Sequence, residues 1–176
     1  MHSSSPSAIF DVVNQVLHDR ADEGEFCTAC LVELTREGDG FRVVTSSAGH
    51  PLPVVLRADG TLDELGAYGT LLGAFEDTSR LDVGGRIARG DTVLMFTDGL
   101  EERRCAGAFF GDDAFHAVLR SSFGLTAQAL VERLRDALRD FGTDPLDDDV
   151  AVLAMRVGGP DHQLLEPATP PRRARS

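Results

Sequence analysis

A chain of 176 residues, 42% hydrophobic and 26% charged, is long enough for one domain with a proper core and short for two. Its net charge of −12, spread along the chain, argues against nucleic acid as the main partner, because phosphate backbones need a basic face. No run reaches the length of a membrane span, and the N-terminus lacks the basic-then-apolar order of a signal peptide. A cytoplasmic protein without a membrane partner is therefore expected.

In chain order, Ile9, Val12, Val13, Val16 and Leu17 keep a helical period, with Pro6 or Ser7 to open the helix. This predicts an amphipathic helix with its stripe turned to a core. After a charged turn, Phe26 to Leu34 reads as a buried strand containing Cys27 and Cys30. A redox pair would sit at a helix N-terminus, and a structural zinc site would want a second pair. Both cysteines are read instead as buried apolar side chains.

Glu37-Gly38-Asp39-Gly40 predicts a hairpin turn into a strand over Phe41–Ser47, and Val54–Arg57 a short strand ending in the Ala58-Asp59-Gly60 turn. Gly66 to Gly73 reads as a loop leaning on the core through Leu71 and Leu72. Arg80–Ala88 is expected to pair with Thr92–Phe96 as a hairpin through Arg89-Gly90-Asp91, Asp91 closing the turn with its own side chain. Cys105 to Gly111 is irregular. Asp112 can cap a helix to about Leu119, and Thr126 the next one, which carries Leu130, Leu134 and Leu138 inward and stops at Gly142. Ala151–Val157 is the last strand. Residues 158–176 are rich in proline, glycine and arginine and read as a disordered tail after a single domain over 1–157. Helix, antiparallel strands, two helices and a strand make an α+β fold.

The stretch with the most chemical content is GDTVLMFTDGLEE, Gly90 to Glu102. Val93 to Phe96 form an apolar run that suits a strand covered on both faces, and Asp98 follows it on a stiff support. Gly99 is expected to permit a sharp turn through backbone angles that other residues avoid. The second such stretch is LDDDVAVLAMRV, Leu146 to Val157, where three aspartates run into a strand. Two carboxylates brought to strand ends from distant parts of the chain suit an oxygen-ligated divalent metal. Asp98 could equally satisfy its own turn. For Asp147 and Asp149 a solvated turn or helix cap stands beside metal contact. His50 reads as a base or, with no carboxylate placed beside it, as a hydrogen-bonded turn residue. Glu101 to Arg104 read as a solvated rim.

AGHPLPVVLRADG, GDTVLMFTDGLEERR, Phe110-Gly111 and DDDVAVLAMRV occur in the order and spacing of the SpoIIE-type branch of the PPM (type 2C) serine/threonine phosphatases, which the chain resembles from about Pro6 to Val157. The resemblance implies an αββα sandwich with a two-metal Mn²⁺ or Mg²⁺ centre, acting on a phosphorylated regulatory protein such as an anti-anti-sigma factor. It places Asp98 and Asp148 as metal ligands, with Gly99 and Asp149 as neighbours and Ala151 where a threonine is common. The family's N-terminal Gly-Asp shortly before Gly-His-Gly has no counterpart; Gly38-Asp39, Gly90-Asp91 and Gly111-Asp112 stand in other contexts. The expectation is thus an N-terminally truncated phosphatase domain with impaired activity, at most weak single-metal binding, and self-association through an exposed sheet edge. The alternative expectation is a non-catalytic remnant that works as a protein-binding module.

Overall fold

The computed structural model describes residues 5–19, 26–76, 78–105, 107–111, 113–142 and 148–158. The elements are α1 (Pro6–His18), β1 (Ala29–Glu37), β2 (Gly40–Ala48), β3 (Val54–Leu56), β4 (Leu62–Glu64), β5 (Val83–Ile87), β6 (Thr92–Phe96), β7 (Arg104–Cys105), β8 (Ala108–Phe109), α2 (Ala114–Ser121), α3 (Ala127–Phe141) and β9 (Val152–Arg156). A 3-10 turn, Asp98–Leu100, follows β6. One sheet has the order β1-β2-β5, the other β4-β3-β6-β9, and β7 and β8 make a small hairpin. All of these pairings are antiparallel.

The two sheets face each other across Val43, Val55, Ile87 and Val93. Phe10 of α1 packs on the outer face of the first sheet with Ala48 and Leu72. On the outer face of the second sheet, Phe115, Leu119, Leu130 and Leu134 of α2 and α3 pack against Val54, Leu94 and Phe96. The layers run helix, sheet, sheet, helices, as the resemblance implies. Alternation of inward and outward side chains lets each sheet serve two cores. Among the described residues, no helix is long and apolar enough to cross a membrane. The expected tail lies outside the described residues apart from Gly158.

Several expectations give way. Most of the α1 stripe does not face the core: Leu17 packs beside Phe10, but Ile9, Val12, Val13 and Val16 are exposed, and Pro6, Phe10 and Asn14 are buried. Asn14 decides which face goes in. Its Oδ1 accepts from Gly73 N at 2.9 Å and Arg80 Nη2 at 3.1 Å, and its Nδ2 donates to Phe75 O at 3.0 Å. Apolar periodicity does not register a buried polar anchor of this kind.

The hairpin expected between the strand before Gly90 and the strand after it is absent. β5 pairs with β2, while β6 pairs with β3 and β9. The Asp91 carboxylate does close the turn, accepting from Ala88 N at 2.9 Å. It also accepts from Ala58 N at 2.9 Å and Arg57 Nη1 at 3.0 Å. Those bonds tie the turn to the end of β3 and carry the chain from one sheet into the other.

The strand expected over Phe26–Leu34 sits later, at Ala29–Glu37, and is half-buried to exposed because it is an edge with one neighbour. The cysteine reading fails with it. Cys27 is exposed, before the strand, at a single bridge to Leu72; Cys30 is half-buried, its thiol pushed up to about 11 by burial. Asp112 lies outside the described residues, and α2 begins at Ala114. Thr126 caps α3 as expected, accepting from Ala129 N at 3.2 Å.

Candidate functional site

β6 is buried along most of its length and ends at Thr97, which stitches two loops together. Thr97 Oγ1 donates to Asp149 O at 3.0 Å and accepts from Ala151 N at 2.9 Å. Thr97 N donates to Ala151 O at 3.1 Å, extending the β6–β9 pairing beyond Phe96↔Val152. Two residues on, Gly99 lies so close to the other loop that a Cβ there would stand 2.7 Å from Asp149 O and 3.3 Å from Asp148 O. Its φ is not among the positive ones. Gly99 is thus required by close approach of two backbones, rather than by the special turn angles expected of it.

Asp98 and Asp148 therefore belong to loops in van der Waals contact, at the same end of the β6–β9 pair. Asp98 Oδ1 accepts from Gly99 N at 3.0 Å, and Asp148 Oδ1 accepts from Asp149 N at 2.7 Å. The second oxygen of each carboxylate has no partner among the described residues. Hard oxygen donors in this state suit one Mn²⁺ or Mg²⁺ that keeps most of its waters. They do not make a bridged pair: among the described residues, no group of three or more histidine, cysteine or acidic side chains is placed to hold a metal. Asp147 lies outside the described residues. Asp149 contributes its carbonyl to Thr97 and its N–H to Asp148, and its side chain is exposed.

The rim expected to be solvated is partly built into the fold. Glu101 is half-buried, and burial pushes its carboxyl above the ordinary value; Glu64 and Glu102 add to the rise and His116 opposes it. Tyr68 is raised by burial and by Glu64 and Glu101, which places it in the same acidic neighbourhood. Arg103 is buried and donates from Nη2 to Gly142 O at 2.6 Å, while Arg104 lies 4.5 Å over the Phe109 ring. Phe110 is buried, and Gly111 N donates to Glu101 O at 2.9 Å. A Cβ at Gly111 would meet Glu101 Cβ at 2.6 Å, so the Phe110-Gly111 pair braces the loop after Asp98.

Thr97 is the residue that sequence reasoning missed, and Glu101 the one it assigned to a solvated rim. A hydroxyl directly ahead of Asp-Gly was the signal for the first, and Phe110-Gly111 for the second. His50 is the hydrogen-bonded turn residue rather than a paired base. Its Nδ1 lies 3.1 Å from Thr28 Oγ1, its N–H donates to Ser47 Oγ at 3.1 Å, and its carbonyl accepts from Ser47 Oγ at 2.7 Å.

Known proteins resemble this chain in sequence and in fold. Phosphoserine phosphatase RsbU of Bacillus subtilis (strain 168) is 25% identical over 152 residues, which cover 86% of this chain and 45% of RsbU. Among solved structures, the SiaA-PP2C domain of Pseudomonas aeruginosa superposes with a TM-score of 0.70 at 20% identity, over 88% of this chain and 61% of that one. The phosphatase domain of the cell fate determinant SpoIIE from Bacillus subtilis, presoaked in Mn, gives 0.63 at 15% identity, over 93% and 70%. The chain thus has the fold of PP2C phosphatase domains while spanning about half the length of RsbU. Residues 1–158 match the family model described as Stage II sporulation protein E (SpoIIE), and the chain belongs to that family.

Proposed function

We propose that this chain is the metal-binding core of a phosphoserine/phosphothreonine protein phosphatase, with Asp98 and Asp148 holding one Mn²⁺ or Mg²⁺. The observation that supports the reading is the contact between Gly99 and the Asp148–Asp149 backbone, which joins the loops of two aspartates 50 residues apart in sequence. A hard divalent cation bound there would supply charge for phosphoryl oxygens and a more acidic water. The residues of the chain do the rest: Thr97 fixes the spacing of the two loops, and Gly99 permits their approach. The exposed Asp148–Asp149 segment leaves the rim open to a protein surface. RsbU is named a phosphoserine phosphatase, and a phosphorylated regulatory protein of the anti-anti-sigma type is the substrate class proposed here.

With two carboxylates in place of a bridged centre, turnover by this polypeptide is expected to be feeble. Mn²⁺ titration followed by water proton relaxation should show weak binding that Asp98→Asn and Asp148→Asn each abolish. Binding unchanged in both variants would sink the assignment. Hydrolysis of p-nitrophenyl phosphate with Mn²⁺ is expected at or near the background rate. Robust turnover abolished by Asp98→Asn would keep the site and overturn the impairment.

The absence of a third ligand among the described residues favours a second reading, a non-catalytic remnant that binds a partner. A phosphoserine peptide separates the two. Slow Mn²⁺-dependent release of phosphate supports the enzyme, and stoichiometric binding without release supports the remnant.

A further inference from the structure

The aspartate end of the second sheet gathers more than the Asp98 and Asp148 loops. Phe96 pairs with Val152 there, Leu94 with Val54, and Val54 with Glu64. The starts of β3 and β9 and the ends of β4 and β6 therefore lie along one border, and the loop that leaves β4 carries Tyr68 beside it. We infer that the Tyr68 ring, flanked by Glu64 and Glu101, receives a lysine or arginine side chain of the protein substrate next to its phosphoserine. The phosphoserine rests on the metal reading above; the basic contact rests on the Tyr68 loop itself.

That loop is laid against the segment joining β2 to β3. Leu65 N donates to Pro53 O at 2.8 Å. A Cβ at Gly66 would stand 3.0 Å from Leu52 Cδ2, and one at Gly69 only 2.5 Å from Ser47 O. On the far side, Leu72 N donates to Cys27 O at 2.9 Å, and Cys27 N to Leu72 O at 3.0 Å. Among the described residues 65–73, all but Tyr68 are buried or half-buried, and Tyr68 is 67% exposed. A loop pinned on both sides of its one exposed aromatic holds the ring in a fixed place, so a partner covering it has little freedom to freeze out.

The surroundings of the ring name the side chain that fits it. The Tyr68 phenol is raised by burial and then by Glu64 and Glu101, with the Leu52 N–H opposing, so both carboxylates stand near its hydroxyl. Glu64 is exposed and has no hydrogen-bond or ion-pair partner among the described residues. The face of an aromatic ring attracts a cation through its quadrupole, and carboxylates beside the ring add attraction of the same sign. An acidic side chain in this place would be repelled by Glu64 and Glu101, and an apolar one would gain the ring alone. The net charge of −12 draws a basic surface from longer range as well.

Fluorescence anisotropy with the full chain in Mg²⁺ would compare labelled phosphoserine peptides flanked by arginine, by alanine or by glutamate. The arginine peptide should bind about tenfold more tightly than the alanine one, the glutamate peptide most weakly, and the arginine advantage should shrink as salt rises. Tyr68→Ala should remove most of that advantage and Glu64→Gln part of it, while Tyr68→Phe, which keeps the ring, stays within about twofold of the parent. The chain has one tyrosine and no tryptophan, so its intrinsic emission reports Tyr68 alone. That emission should change when an unlabelled arginine peptide binds and hold steady with the alanine one. Circular dichroism establishes that each variant is folded. Equal binding of the arginine and alanine peptides, or an arginine preference that survives Tyr68→Ala, overturns the inference. Asp98→Asn should weaken all three phosphopeptides alike and leave the arginine preference in place. A preference that depends on Tyr68, yet is indifferent to Asp98→Asn and to removal of the phosphate, keeps the basic contact and sinks the metal reading instead.

Discussion

Asp91 and Asp98 stand at opposite ends of β6, each next to a glycine, and the fold uses them in opposite ways. Asp91 is 4% exposed, and its carboxylate accepts from two backbone N–H groups and from Arg57. Asp98 is half-buried, with one N–H on one oxygen and no partner for the other among the described residues. A carboxylate with both oxygens engaged by the protein is a structural joint. One with an oxygen left unpartnered among the described residues, on a loop that touches another aspartate's loop, is proposed to be available to a cation. Residue type and a neighbouring glycine do not separate the two; the number of local donors does.

The sharpest way to break that distinction is to remove each carboxylate in turn. Asp91→Ala should cost about 3 kcal/mol, because it leaves two N–H groups unpaired at the crossover between sheets and takes one of the two carboxylates from Arg57, which keeps Asp63 and Arg86 O. In a chain of this size that lowers the melting temperature by about 6–12 °C. Mn²⁺ affinity should be untouched. Asp98→Asn should do the reverse, abolishing Mn²⁺ binding with little change in melting. If both variants lost stability equally, Asp98 would be a second structural joint and the metal reading would fail.

Gly99→Ala comes next. With a Cβ 2.7 Å from Asp149 O, the loops must part, at about 2 kcal/mol by the usual scale of overpacking. Metal affinity should fall along with stability, which neither aspartate variant does. Thr97→Val keeps the shape and removes the hydroxyl that both donates and accepts, so about 1 kcal/mol is expected, with a several-fold weaker Mn²⁺ interaction. Unchanged metal binding in Thr97→Val would mean that the Asp148 loop holds its place without the stitch.

How much of this could be read beforehand depended on whether the governing contact was local. The Asp59 turn, the Thr126 cap and the Leu130–Leu138 stripe are set by neighbours in sequence, and they appear where expected. Asp98 and Asp148 were legible as paired strand ends because the apolar runs next to them mark the strands. What failed was long-range. The buried face of α1 is chosen by Asn14, whose partners lie some 60 residues away, as the 59- and 61-residue separations of its bonds to Gly73 and Phe75 show. The partner of β5 is chosen by the Asp91 bonds to Ala58 and Arg57, which no local pattern encodes. Gly99 was singled out for the wrong reason, since a close approach between distant loops looks in sequence like any turn glycine.

The smallest effect concerns Glu101, three residues past Asp98, and it tests how far the aspartate end departs from an ordinary surface. Burial, then Glu64 and Glu102, raise its carboxyl pKa above 4.5 in the folded chain, His116 notwithstanding. A raised carboxyl binds its proton more tightly folded than unfolded. Stability therefore falls as pH rises from the ordinary value through the folded one, and stays lower above that window. Glu101→Gln removes the titration, so the variant should melt higher than the parent at pH 7, and the gap should close on acidification below the ordinary carboxylate value. Because Glu101 is only half-buried, a shift of a few degrees at most is expected. A constant difference at both pH values would assign the effect to packing against Gly111 instead. Glu101 would then join Asp91 as part of the frame, leaving Asp98 and Asp148 as the groups at this end proposed to take a cation.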